Sequence, residues 1–206
     1  KYKIKNFCEL LAIPMTAGTG AEVTTNAVIY INKIKYSVEG DPVKPKHMAL
    51  FPELVITNKN KIIITSSAFD SFAQSIESMF SRKSNNQSLI YSEKSIKLFL
   101  KNYKNFIKSK SLDSGYKMAL ASYYSGKAIS ISKTIAPHAV SYPFTSYFNI
   151  SHGHAVSLTF EEILEHNYNK LEHSVANYDI KKRYQSLFSL LGVKKIEEFK
   201  KKILGI

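Results

Sequence analysis

The chain has 206 residues, 44% of them apolar, so it can bury a sizeable core and is not a wholly disordered tail. A single cysteine, Cys8, excludes a disulfide framework and a cysteine-based zinc motif and points to a reducing, cytoplasmic setting; no apolar run is long enough to span a membrane. Lysine and arginine outnumber the acids 29 to 16, a net charge of +13, yet only Arg82 and Arg183 are arginines and the lysines are scattered, so no nucleic-acid partner is expected.

The opening Lys1-Tyr2-Lys3-Ile4-Lys5 does not lead into a signal-peptide core. Phe7 to Ile13 is a short apolar run ended by Pro14, and Met15 to Glu22 is a loop rich in Thr, Gly and Ala. Asn26 to Ile31 reads as a buried strand that Lys35 to Val38 can pair with, and Leu54-Val55-Ile56 as one more short strand after a loop punctuated by Pro42, Pro45 and Pro52. These strands lack the helices that would cover them, so this part does not stand alone.

From Thr65 the period turns helical. A helix capped by Thr65 or Ser66 is expected to run to about Phe80, and a second from about Leu89 to Ile107, with Ile96, Phe99, Leu100, Tyr103, Phe106 and Ile107 on one face. A third, Ser114 to Ser130, is full of small residues and belongs at the centre of a bundle. Pro137 starts a short helix, another runs from near His152 to near Glu165, and two more span Ile180 to Leu191 and Ile196 to Leu204, closed by Gly192 and Gly205. The boundary before this all-helical part lies between residues 52 and 64.

Three features could carry chemistry. In Pro14 to Glu22, Gly18 and Gly20 permit close backbone approach and the hydroxyls of Thr16 and Thr19 could meet phosphate or ribose oxygens; a plain structural loop fits the same residues. Asp70 and Gln74 are one helical turn apart, with Glu77 a further turn on, which suits either a shared ion or an ordinary polar helix surface. His138 and His152 sit in apolar, Pro- or Gly-marked settings, whereas His154 points away from His152, and His47, His166 and His173 lie among polar residues. Two imidazoles, a carboxylate and an amide oxygen together would suit Fe(II), Zn(II) or a similar divalent ion with positions left open for substrate.

Taken in order, these pieces resemble the iron-containing (group III) alcohol dehydrogenases. Ile13 to Thr24 is similar to that family's Thr-Ala-Gly-Thr-Gly signature, with Ala21 where Ser is usual; Phe51 to Ile56 resembles the entry to its helical domain; Phe69 to Ser78 resembles its Asp-x-x-x-His-x-x-Glu helix; and His138 and His152-Gly153 resemble its spaced histidine pair. The resemblance implies an α/β remnant plus an all-α domain in a truncated dehydroquinate synthase-like, iron-containing alcohol dehydrogenase fold. Residues 1–57 would be the C-terminal part of a Rossmann-like dinucleotide-binding domain and 58–206 a helical metal-binding domain incomplete at its C-terminus. It implies metal ligation by Asp70, Gln74, His138 and His152, cofactor contacts from Thr16, Gly18, Thr19 and Lys35, and a catalytic proton donor in Tyr142. The implied cofactors are Fe(2+), or Zn, Mn or Co, and NAD(P).

Three departures from the family pattern stand out. Gln74 replaces a histidine ligand, Tyr142 stands where many members have a further histidine, and the Gly-Gly-Gly-Ser pyrophosphate loop is absent, so that the front of the dinucleotide domain would precede Lys1 and the chain would be a fragment, itself inactive. The activity implied for the complete protein is hydride transfer between nicotinamide and a small alcohol or aldehyde, as a homodimer. Ser141 to Tyr147, with Gln74, resembles the branch that reduces phosphonoacetaldehyde, and the lysines and hydroxyls suit an anionic substrate. A glycerol dehydrogenase- or dehydroquinate synthase-like enzyme and a non-catalytic helical remnant are the alternatives.

Overall fold

A computed structural model describes residues 8–32 and 34–206, with the side chains of Tyr30 and Lys35 also outside the description. Phe7 and the lysine-rich opening therefore lie outside the described residues. Strand β1 (Leu11–Ala12) pairs in parallel with β4 (His47–Met48), and β2 (Asn26–Ile31) forms an antiparallel hairpin with β3 (Ile34–Glu39), Asn26 opposite Glu39. The expected pairing of the second and third strands is present. Val28, Ile29, Ile31, Ile34 and Tyr36 are exposed, however, so the hairpin is not the buried strand that its apolar sequence suggests.

Leu54-Val55-Ile56 is helical, not a strand. It lies in α1 (Pro52–Thr57), where Pro52 occupies the first turn and needs no backbone donor. Helix α2 (Lys61–Phe80) starts four residues before Thr65, because the Asn60 side chain accepts from the Ile62 and Ile63 amides and caps it earlier. Thr65 is then interior, its hydroxyl bonded back to the Lys61 carbonyl at 2.8 Å. Helices α3 (Asn86–Ser109), α4 (Leu112–Ser132), α5 (Ala136–Phe148), α6 (His152–Tyr168), α7 (Ile180–Leu191) and α8 (Ile196–Leu204) follow, and the expected helices fall inside them. Among the described residues no helix is long and apolar enough to cross a membrane.

Helix α2 is the axis of the bundle, buried along nearly its whole length from Ile64 to Phe80. Phe72, Ile76 and Met79 supply the apolar core, and Phe72 stacks on Phe99 of α3 at 4.5 Å. Its other faces are lined by serines. Ser75 donates to Ser95 at 2.8 Å, Ser95 in turn donates to the Ala121 carbonyl at 2.7 Å, and Ser132 donates to Ser78 at 2.7 Å. These short side chains let α3 and α4 approach α2 closely, and each hydroxyl has a partner that offsets its desolvation. The consequence for function is that α2 can carry polar residues inside a dry bundle.

Candidate metal centre

Asp70, Gln74 and Glu77 lie on α2, and all three are buried. Glu77 organises the start of α5. Its Oε2 accepts from the Ile135 amide at 2.6 Å, and its Oε1 lies 2.5 Å from Nδ1 of His138, in the first turn of that helix. A carboxylate is favoured there, because the first amides of a helix are unpaired and its dipole is positive at that end. The other ring nitrogen of His138, Nε2, lies 3.1 Å from Asp70 Oδ1.

His152 opens α6, and its Nε2 is 3.9 Å from the same oxygen. The two imidazole rings meet edge to face at 5.3 Å. Asp70, His138 and His152 each offer a ligand atom, all within 4.8 Å of one another. The site is closed on the Asp70 and His138 side and opens past His152, whose side chain is 32% exposed.

Burial alone would lower the pKa of His138, but the Glu77 charge, the hydrogen bonds to Asp70 and Glu77 and the Asp70 charge outweigh it and push it up to about 10. Without an ion, a proton on His138 thus neutralises part of the charge of the two carboxylates. A divalent cation at the same place would do so more fully, with Glu77 still accepting from Nδ1–H. A ligating histidine whose second nitrogen is held by a carboxylate is the usual arrangement at metal sites. The donor set fits a divalent ion.

Gln74 is also brought to the cluster. Its Nε2 donates to Asp70 Oδ2 at 3.3 Å, and its Oε1 accepts from Ser125 of α4 at 3.0 Å. Tyr142, half-buried on α5, lies nearly parallel to the His152 ring at 6.2 Å. The Thr/Gly loop packs on the same helices. Gly18 accepts from Ser122 at 2.9 Å and lies against Ser67, three residues before Asp70. At Gly20, where φ is +64°, a Cβ would come within 2.6 Å of Gly126 Cα. Ala17, Gly18 and Gly20 are buried while Thr16 and Thr19 are exposed, so the small residues seat the loop and the threonines face outward.

Lys35 belongs to β3, on the hairpin after this loop. At the end of the loop, Glu22 is buried with Oε1 unpaired, and burial raises its pKa. Sequence reasoning passed over Ser122 and Ser125. The small-residue face of α4 was their signal, but it reads equally as packing.

Residues 64–204 match the Fe-containing alcohol dehydrogenase family, C-terminal. Phosphonoacetaldehyde reductase from Streptomyces viridochromogenes is 31% identical over 163 residues, 77% of this chain and 41% of that protein. 4-Hydroxybutyrate dehydrogenase from Clostridium kluyveri is 28% identical over 202 residues, 89% of this chain and 53% of that protein. The chain thus spans about half the length of these relatives. Among solved structures, sulfoacetaldehyde reductase from Bifidobacterium kashiwanohense in complex with NAD+ superposes with a TM-score of 0.82 at 26% identity, over 96% of this chain and 50% of that one.

Proposed function

The chain belongs to the iron-containing alcohol dehydrogenase family, and on that premise we propose that it carries the metal centre of an NAD(P)-linked reductase of small aldehydes, or dehydrogenase of the matching alcohols. The observation that carries this reading is the buried carboxylate and two imidazoles of Asp70, His138 and His152, drawn from three helices to one point. The division of labour is assigned from the family resemblance. Residues 1–57 supply the cofactor side and residues 58–206 the metal side.

The chemistry supplied by the bound groups is Lewis-acid polarisation of the substrate oxygen and hydride exchange with nicotinamide. Asp70, His138 and His152 bind the ion, Fe(2+) or another of Zn, Mn and Co, and Glu77 holds the His138 ring in place. Tyr142, beside His152 on the open side of the site, gives the proton to the carbonyl oxygen as it becomes an alcohol. Thr16 and Thr19 meet the cofactor from a loop that Gly18 seats against Ser67, one turn from Asp70, and the family resemblance assigns Lys35 of the hairpin to the cofactor side. Excluding water from the Asp70 and His138 side strengthens the charge interactions there.

The substrate class is a short aldehyde bearing an acidic group. Three relatives support it, because phosphonoacetaldehyde, sulfoacetaldehyde and 4-hydroxybutyrate each carry an anion at the end of a short chain. The test has two parts. Elemental analysis of the chain should find about one equivalent of a divalent ion, kept in His173→Ala and lost in His152→Ala. In a form that also carries the rest of the dinucleotide-binding domain, NAD(P)H oxidation should then be faster with phosphonoacetaldehyde, sulfoacetaldehyde or succinate semialdehyde than with propanal. A folded chain without metal would overturn the first part, and a preference for propanal would overturn the substrate class.

A further inference from the structure

The two oxygens of Asp70 face different ways. Oδ1 faces the imidazoles, 3.1 Å from His138 Nε2 and 3.9 Å from His152 Nε2, whereas Oδ2 accepts from the Gln74 amide at 3.3 Å. The other end of that amide, Oε1, accepts from Ser125, whose hydroxyl is fully buried. Ser125 therefore donates to Gln74, and Gln74 to Asp70, in a hydrogen-bonded chain running from α4 to the ligand cluster. Resting on the metal reading above, we propose that Gln74 is a positioning residue and not a ligand. It holds Oδ2 so that Asp70 presents Oδ1 alone, and the ion is bound by Asp70, His138 and His152 with its other positions open.

The physical case is one of competing partners. A carboxamide oxygen is a weaker ligand than a carboxylate or an imidazole. Turning Oε1 toward an ion would take the acceptor from the buried Ser125 hydroxyl and the donor from Asp70 Oδ2, and buried polar groups left without partners are costly. Two histidines and one carboxylate suffice for a bound divalent ion and leave room for water and a substrate oxygen. The serine on α4 has a purpose in this arrangement: Asp70 Oδ2 accepts only and so takes the NH2 end of the Gln74 amide, and the serine holds the carbonyl end.

The test is a Co(II) titration of the metal-free full chain against a competing chelator, with the visible d–d absorption recorded. Wild type, Gln74→Leu and Ser125→Ala are compared, and a thermal melt of each checks its fold. The expected result is one Co(II) per chain in all three, with d–d bands of unchanged position and intensity. The dissociation constant should rise about 10- to 100-fold in Gln74→Leu and by less in Ser125→Ala. A changed d–d spectrum in Gln74→Leu would make Gln74 a ligand, and unchanged affinity in both variants would remove its positioning role. Should Gln74→Leu fail to fold, Ser125→Ala decides by the same two readouts. Wild type that takes up no Co(II) would overturn the metal reading and this inference with it, whereas binding by wild type with unaltered variants overturns this inference alone.

Discussion

Gly153 lies directly against the main chain of Ser66. A Cβ built on Gly153 would come within 2.8 Å of the Ser66 carbonyl carbon and 3.0 Å of Asp70 Cβ. The next residue, His154, donates its amide to the Ser66 hydroxyl at 3.1 Å. The start of α6 is thus seated on α2 one turn before Asp70, which is how His152 reaches the aspartate. Gly153→Ala must lift α6 off this seat. We expect a loss of about 1–3 kcal/mol in a denaturant titration together with loss of bound metal by elemental analysis. Retention of full metal content would contradict this account of how His152 is placed.

Glu77 has two donors to satisfy, the Ile135 amide and the His138 ring. Glu77→Gln keeps the size but has one acceptor atom in place of two, since its amide nitrogen would face one of the donors. Metal affinity should fall about 10- to 100-fold, the range for partners that orient a ligand. A chelator-competition assay measures this, and an unchanged constant would count against the role given to Glu77.

The Thr/Gly loop depends on a second glycine contact. A Cβ on Gly126 of α4 would run into the Gly20 carbonyl. Gly126→Ala should therefore displace the loop that carries Thr16 and Thr19 and lower stability by about 1–3 kcal/mol. In a form that also carries the rest of the dinucleotide-binding domain, calorimetric NAD(H) titration should show weaker binding in this variant while its metal content stays normal. Equal loss of metal and cofactor binding would mean that the loop and the metal site are not separable in this way.

Glu22 links stability to pH. Burial raises its pKa above the ordinary 4.5, so the folded chain prefers the protonated carboxyl. That contribution is present in full below the unfolded value and is lost as pH rises through the folded one. Glu22→Gln removes the ionisation. Its melting temperature should exceed that of wild type at pH 7.5 and match it at pH 4. A variant less stable than wild type at pH 7.5 would show that the ionised carboxylate has a stabilising partner.

Some of this was legible in the sequence for definite reasons. The face of α3 follows from helical periodicity, because one buried stripe on an otherwise lysine-rich helix has a single sensible orientation. Leu54-Val55-Ile56 was misread because three apolar residues fit a strand or a helix equally well, and Pro52 in the first turn decided for a helix. The β2–β3 pairing was readable from an apolar run and a second short run close after it, while the exposure of Val28 and Ile34 was not, since burial depends on what packs against the hairpin.

At the centre itself, the sequence alone determined that Asp70 and Gln74 share a helix face and that His138 and His152 begin helices marked by Pro137 and Gly153. Only the tertiary structure decided that Ser125 donates to Gln74, that Glu77 takes His138 Nδ1, and that Gly153 brings His152 within 3.9 Å of Asp70. A one-turn spacing says which side chains lie on the same face of a helix. Which other helices meet that face, and with which atoms, is set by packing between residues up to 88 positions apart in the chain.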